Sequence, residues 1–132
     1  MWYALELLVW KIYRCDRFKP THRTQMTKTE RPWGYYRVLH EVAGTKVKEL
    51  TVMPGKSLSM QRHFKRAEHW HVSEGRCVVD FGDGEQEREL HEFQHIPVGT
   101  WHQLTNPFDK PCHIVEIQYG EDCAEEDIER RP

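Results

Sequence analysis

Four residues in this chain have the types and spacing to hold a divalent cation: Gln61, His63, Glu68 and His102. Gln61 and His63 lie two apart, so on an extended strand they project to the same side, with Arg62 on the other. Glu68 follows across a tight turn. Pro97 and Gly99 make a second turn, which delivers His102 onto the next strand, with Asn106 at the following bend. Two imidazoles, one carboxylate and one amide oxygen suit a borderline ion such as Zn²⁺. An open coordination position would then serve water or substrate.

A more conspicuous pair competes with this set. His69-Trp70-His71 offers two histidines at strand spacing. In Glu68-His69-Trp70-His71-Val72 the alternation puts Glu68 with Trp70 and Val72, the apolar pair, and puts His69 and His71 on the opposite face. The apolar pair marks the interior, so Glu68 points in and the His-x-His pair points out. A buried carboxylate needs a partner, because leaving it unpaired costs several kcal/mol or shifts its protonation. A cation shared with His63 and Gln61 supplies one. Spacing alone decides little, since a histidine in a polar strand is more often solvated or hydrogen-bonded than metal-bound.

The elements that must position these residues read as short strands. From Tyr35 onward, alternating stretches are punctuated by Ala43-Gly44, Pro54-Gly55, Glu74-Gly75, Gly82-Asp83-Gly84, Asn106-Pro107 and Lys110-Pro111. Residues 57–64 read as one strand, and Lys65-Arg66-Ala67 as a basic break before the next. Strands at this spacing predict an all-β sandwich or barrel. Ala124 to Arg131, AEEDIERR, predicts a short C-terminal helix.

The chain has 132 residues, 38% of them hydrophobic and 30% charged, with a formal net charge of −2. That fits one folded domain and gives no reason to expect nucleic acid or a membrane surface as partner. Cys15, Cys77, Cys112 and Cys123 are scattered without a C-x-x-C, which argues against a zinc ribbon or a disulfide framework and for a reduced, cytoplasmic setting. Residues 1–25 differ from the rest: an apolar stretch too short for a membrane span, without the features of a signal peptide, then a basic run. Two readings are open for it, an appended segment read through from an upstream start or an amphipathic element packed on the domain. Residues 26–132 form the domain proper.

Two stretches then coincide with known motifs. PGKSLSMQRHFKRAEHWHVSEG and IPVGTWHQLTNP resemble the paired motifs of the cupin superfamily, with Gln61 in the first histidine slot and His91 where the second motif normally opens on Gly. RPWGYY, SMQRHFKRAEHW, IPVGTWHQLTNP and the EEDIERR tail, spread over roughly residues 30 to 130, further resemble the isomerase domain of type II mannose-6-phosphate isomerases. The tail departs from that family in DCAEEDI, Asp122 to Ile128.

The resemblance implies a cupin (jelly-roll) β-barrel, a bound divalent metal, commonly zinc, on Gln61, His63, Glu68 and His102, and interconversion of mannose 6-phosphate and fructose 6-phosphate. It also implies a homodimer and a place in mannose-nucleotide metabolism, although no nucleotide-binding loop is present for GDP-mannose synthesis itself. For the sugar phosphate, Arg66 is the first candidate as catalytic and substrate-binding cation. Lys65 and Trp70 are further substrate contacts, and Lys56, Arg31 and Arg130 weaker ones. Rival readings are a non-catalytic sugar- or metal-binding cupin and a metal-dependent dioxygenase. The amide in the ligand set counts against the dioxygenase.

Overall fold

Twelve antiparallel strands and no helix make up residues 26–132, which the computed structural model describes. The reading of residues 1–25 lies outside the described residues. A six-stranded sheet runs in the order β1 (Thr29–Arg31), β2 (Gly34–Val42), β3 (Thr45–Val52), β11 (Cys112–Gly120), β6 (Arg66–Glu74), β9 (Phe93–Ile96). A four-stranded sheet has the order β4 (Lys56–Ser57), β10 (Gln103–Asn106), β7 (Cys77–Asp80), β8 (Glu85–Arg88). A two-stranded ribbon pairs β12 (Glu129–Arg130) with β5 (Gln61–Arg62).

The inward face of the large sheet changes character along its length. The register aligns Val52 with Cys112, and Leu50 with Ile114 and Val72, forming apolar layers that pack with Val79 and Leu104 of the other sheet. The next layers place Lys48, Glu116 and Trp70 side by side, then Lys46, Gln118 and Glu68. All six of these side chains are buried. Period-two alternation thus carries one continuous face from a greasy end into a polar end. Each inward charge there has a partner, as burial demands.

Asn106, at the bend after His102, is a stitch in this frame. Its Nδ2 donates to the carbonyls of Val52 (2.9 Å) and Lys110 (2.8 Å), and its Oδ1 accepts from the Phe108 amide (3.1 Å). Gly75, between β6 and β7, has φ +73°, and a Cβ there would lie 2.5 Å from the Pro111 carbonyl oxygen. Gly75→Ala is therefore expected to destabilise the domain by about 1–3 kcal/mol, read from urea unfolding.

Three local expectations are corrected. Residues 57–64 do not form one strand: the chain splits into β4 and β5. The break before β6 falls at Phe64-Lys65, and Arg66 and Ala67 are already buried in the strand. The C-terminal helix is absent. AEEDIERR has the charges of a solvated helix, but its groups are claimed by tertiary partners. Glu129 and Arg130 pair with Arg62 and Gln61, the Arg62 Nε donates to Glu129 (2.6 Å), and the Arg131 amide donates to the Met60 carbonyl (3.0 Å).

Candidate metal centre

Backbone bonds bring the two ligand-bearing stretches together before any side chain is considered. Gln61 and His102 exchange both of their backbone hydrogen bonds, each 2.9 Å, and the Gly99 amide donates to the His63 carbonyl at 2.7 Å. The turn at Pro97-Gly99 thus rests on the end of β5. From the sheet behind, β6 contributes Glu68. The donor atoms of His63, Glu68 and His102 all lie within 4.8 Å of one another, and each residue is 1–2% exposed.

The imidazoles are held from behind. Nδ1 of His63 donates to the Asp127 carbonyl (2.6 Å) and Nδ1 of His102 to the Thr100 carbonyl (2.8 Å). A carbonyl only accepts, so both Nδ1 atoms carry hydrogen and both Nε2 atoms face the carboxylate. Nε2 of His63 is 3.1 Å from Glu68 Oε1, whereas Nε2 of His102 is 3.6 Å from Oε2, too long for a hydrogen bond, and has no partner. Although burial pushes the Glu68 carboxyl up, the His102 and His63 imidazoles beside it hold it well below the usual carboxylate range. An ionised carboxylate and a buried, unpaired imidazole nitrogen fit a divalent cation in donor type and in charge.

Glu68 also anchors a network. Its Oε1 accepts from Arg66 Nε (3.1 Å) and its Oε2 from the Trp70 indole (3.0 Å), which also points at Glu116 (3.1 Å). Gln118 Nε2 donates to the other Glu116 oxygen at 2.9 Å. Burial, and then the negative charge of Glu68, push the Glu116 carboxyl up to about 8.

Beside the cluster opens a cavity of about 420 Å³, whose walls include Gln61, Arg66, Glu68, Glu116, Gln118, Lys48 and Tyr36. Gln61 is half-buried on this wall, its Oε1 accepting from Ser59 Oγ at 3.2 Å. Arg66 is buried, its guanidinium committed to Glu68, to the Ala124 carbonyl (2.9 Å) and to His63 Nε2 (3.3 Å). Lys65 is exposed and is not one of the lining residues, nor is Trp70, which packs in the core with its edge on His102. Arg31 and Arg130, both exposed, line the cavity, while Lys56 does not. His69 and His71 lie on the outer face, as alternation predicted, facing His95 and Phe93 across the β6–β9 ladder.

Sequence reasoning missed Lys46, Lys48 and Glu116. The signal was the same alternation: Lys46 and Lys48 share parity with Leu50 and Val52, and Glu116 shares it with Cys112 and Ile114.

Comparison with known proteins adds a second line of observation. The family model described as Mannose-6-phosphate isomerase C-terminal matches residues 19–131. The chain is 38% identical over 118 residues to the xanthan biosynthesis protein XanB of Xanthomonas campestris pv. campestris, covering 87% of this chain and 25% of that protein. It is 37% identical, over the same shares, to a mannose-1-phosphate guanylyltransferase of Salmonella muenchen. To the alginate biosynthesis protein AlgA of Pseudomonas putida it is 40% identical over 100 residues, covering 76% and 21%. The chain thus spans about a quarter of the length of these curated relatives or less. Among solved structures, a double-stranded β-helix protein of Klebsiella pneumoniae aligns with TM-score 0.70 at 15% identity, over 82% of this chain and 92% of that one. A cupin-superfamily sugar phosphate isomerase of Silicibacter pomeroyi aligns with TM-score 0.61 at 21% identity, over 64% and 58%. At such identities these structures speak for the cupin barrel alone.

Proposed function

Because the chain belongs to the mannose-6-phosphate isomerase C-terminal family, a cupin domain of the type II isomerases, we propose that it is a metal-dependent isomerase interconverting mannose 6-phosphate and fructose 6-phosphate. The observation that carries this reading is the buried His63–Glu68–His102 cluster, whose Glu68 lines, with Gln61, a cavity that has arginines among its walls. Gln61, His63, Glu68 and His102 would hold the cation, zinc by donor chemistry. When bound, such an ion polarises a carbonyl and stabilises the negative charge that develops on enediol oxygens.

The reaction moves a proton between C1 and C2 of the sugar. In this proposal Glu116 takes the proton from one carbon and returns it to the other. It lines the cavity, its ladder neighbour Trp70 bonds Glu68, and a carboxyl raised to about 8 can both accept and release a proton near neutral pH. Arg66 orients Glu68 and presents a fixed positive charge to the same cavity. Arg31 and Arg130, exposed on the cavity's lining, are the cations with guanidinium donors to offer the phosphate. A homodimer belongs to the proposal too, and light scattering tests it.

An assay coupled to fructose 6-phosphate formation, with Zn²⁺, Co²⁺ or Mn²⁺ supplied in turn, is expected to show turnover that a chelator removes. Absence of turnover with every metal would replace the isomerase by a binding module. Metal-dependent oxygen uptake with a small organic acid would replace it by an oxygenase.

A further inference from the structure

The segment after β11, expected to be helical, approaches the candidate metal centre from behind, and Asp127 is the residue that touches it. Its carbonyl accepts from His63 Nδ1 at 2.6 Å. Its carboxylate accepts from the backbone amides of Phe64 (3.0 Å) and Lys65 (2.9 Å). One residue therefore takes hydrogen bonds from three consecutive residues, 63 to 65, in the tight turn between His63 and Glu68.

The chain on either side reinforces the grip. Just after Asp127, β12 pairs with β5, so Glu129 and Arg130 are laddered to Arg62 and Gln61 immediately before His63. Just before it, the Ala124 carbonyl accepts from Arg66. The segment is thus stitched to both sides of the turn, and Asp127 sits at the middle of the seam. Partial burial opposes ionisation of its carboxyl, but the Phe64 and Lys65 amides hold it below its usual range.

We propose that Asp127 is the positioning residue of the metal centre: its carbonyl sets the ring of His63 with Nε2 toward Glu68, and its carboxylate holds that carbonyl in place. Contacts at both ends set the ring. The carbonyl at Nδ1 can only accept, and at the other end Nε2 lies 3.3 Å from an Arg66 nitrogen and 3.1 Å from Glu68. With the carboxylate gone, the two amides of the turn lose their acceptor, and the carbonyl of residue 127 is left to the flanking β12–β5 ladder and the Ala124–Arg66 bond, neither of which fixes residue 127 itself. A histidine ligand freed from the group behind it loses orientation and basicity together. This inference rests on His63 being a metal ligand.

The test uses the full chain and the metal alone. Zn²⁺ affinity is measured by chelator competition and the site geometry by the visible absorption of the Co²⁺ form, for wild type, Asp127→Ala and Asp127→Asn. Asp127→Ala is expected to weaken Zn²⁺ binding by about 10- to 100-fold and to change the Co²⁺ spectrum. Asp127→Asn, which keeps one acceptor oxygen, is expected to fall between the two. A residue that merely capped the turn would shift unfolding and leave the Co²⁺ spectrum alone. Unchanged affinity and spectrum in Asp127→Ala overturn the inference while leaving the metal centre standing. Should that variant not fold, wild-type affinity in Asp127→Asn overturns it equally. If wild type itself binds neither metal, the reading of the centre and this inference fall together.

Discussion

His102→Ala is expected to bring bound metal down to background and to lower isomerase turnover by roughly three orders of magnitude or more, the scale of a lost metal contribution to the transition state. The argument rests on what His102 does not do. Its Nδ1 is bonded to Thr100, but its Nε2, in a residue only 1% exposed, makes no hydrogen bond to any protein group. Keeping a buried polar atom unpaired costs about 1–3 kcal/mol, which a fold tolerates where a ligand claims that atom. His63→Ala is expected to lose metal as completely, and it also removes the bond to Asp127 and the contact with Glu68, so its metal-free form should unfold more easily than that of His102→Ala. The outward pair supplies the control: His69→Ala and His71→Ala should retain wild-type metal content. Elemental analysis of the four purified variants decides the matter. Full metal in both His63→Ala and His102→Ala would remove the site assignment altogether.

That control also shows where the sequence is legible. Period-two alternation inside Glu68–Val72 separates Glu68 from the two adjacent histidines because Trp70 and Val72 declare which face is interior. The turns at Gly55, Gly75 and Gly99 are legible because each adopts a left-handed backbone conformation that glycine tolerates without strain. The inward lysines follow the same alternation in β3, yet a charged side chain reads as solvent-facing until its partners are known. Lys46 reaches the Cys123 carbonyl and Lys48 reaches Glu125, contacts some 77 residues away in the chain. The tail defeats local reasoning for the same reason. Alanine, glutamates and arginines favour a helix in isolation, but Asp127, Glu129 and Arg131 find donors and acceptors on the turn after β5, on β5 itself and on Met60 just before it. Arg66 is intermediate: its place beside Glu68 is legible, whereas its burial depends on His63 and Ala124 closing around the guanidinium.

Glu116→Gln should separate catalysis from stability in opposite directions. If Glu116 carries the proton between C1 and C2, the amide lowers kcat by about 10²- to 10⁴-fold with metal content unchanged, since the side chain is no member of the donor cluster. The effect on the fold follows from the raised carboxyl. An unfolded chain loses this proton near the ordinary value of 4.5, while the folded protein keeps it until about 8. Between those values the folded state holds the extra proton, so wild-type stability falls as pH rises, by at most about 1.4 kcal/mol per pH unit for this one group. Glutamine has the same shape, cannot ionise, and can accept from Trp70 through its carbonyl oxygen, while its amide nitrogen can donate to the otherwise unpartnered Gln118 Oε1 once the Gln118 amide turns over. Metal-free Glu116→Gln should therefore match wild type within about 1 kcal/mol near pH 5 and exceed it by a few kcal/mol at pH 8. Denaturant unfolding at the two pH values, with chelator present, measures the difference. A gap that does not widen with pH would mean that Glu116 is already ionised in the fold, and undiminished kcat would place the proton-transfer group elsewhere on the cavity wall. If Glu116 is the proton carrier, keeping a carboxyl that lowers stability near neutral pH beside Glu68 is the trade between activity and stability that active sites make.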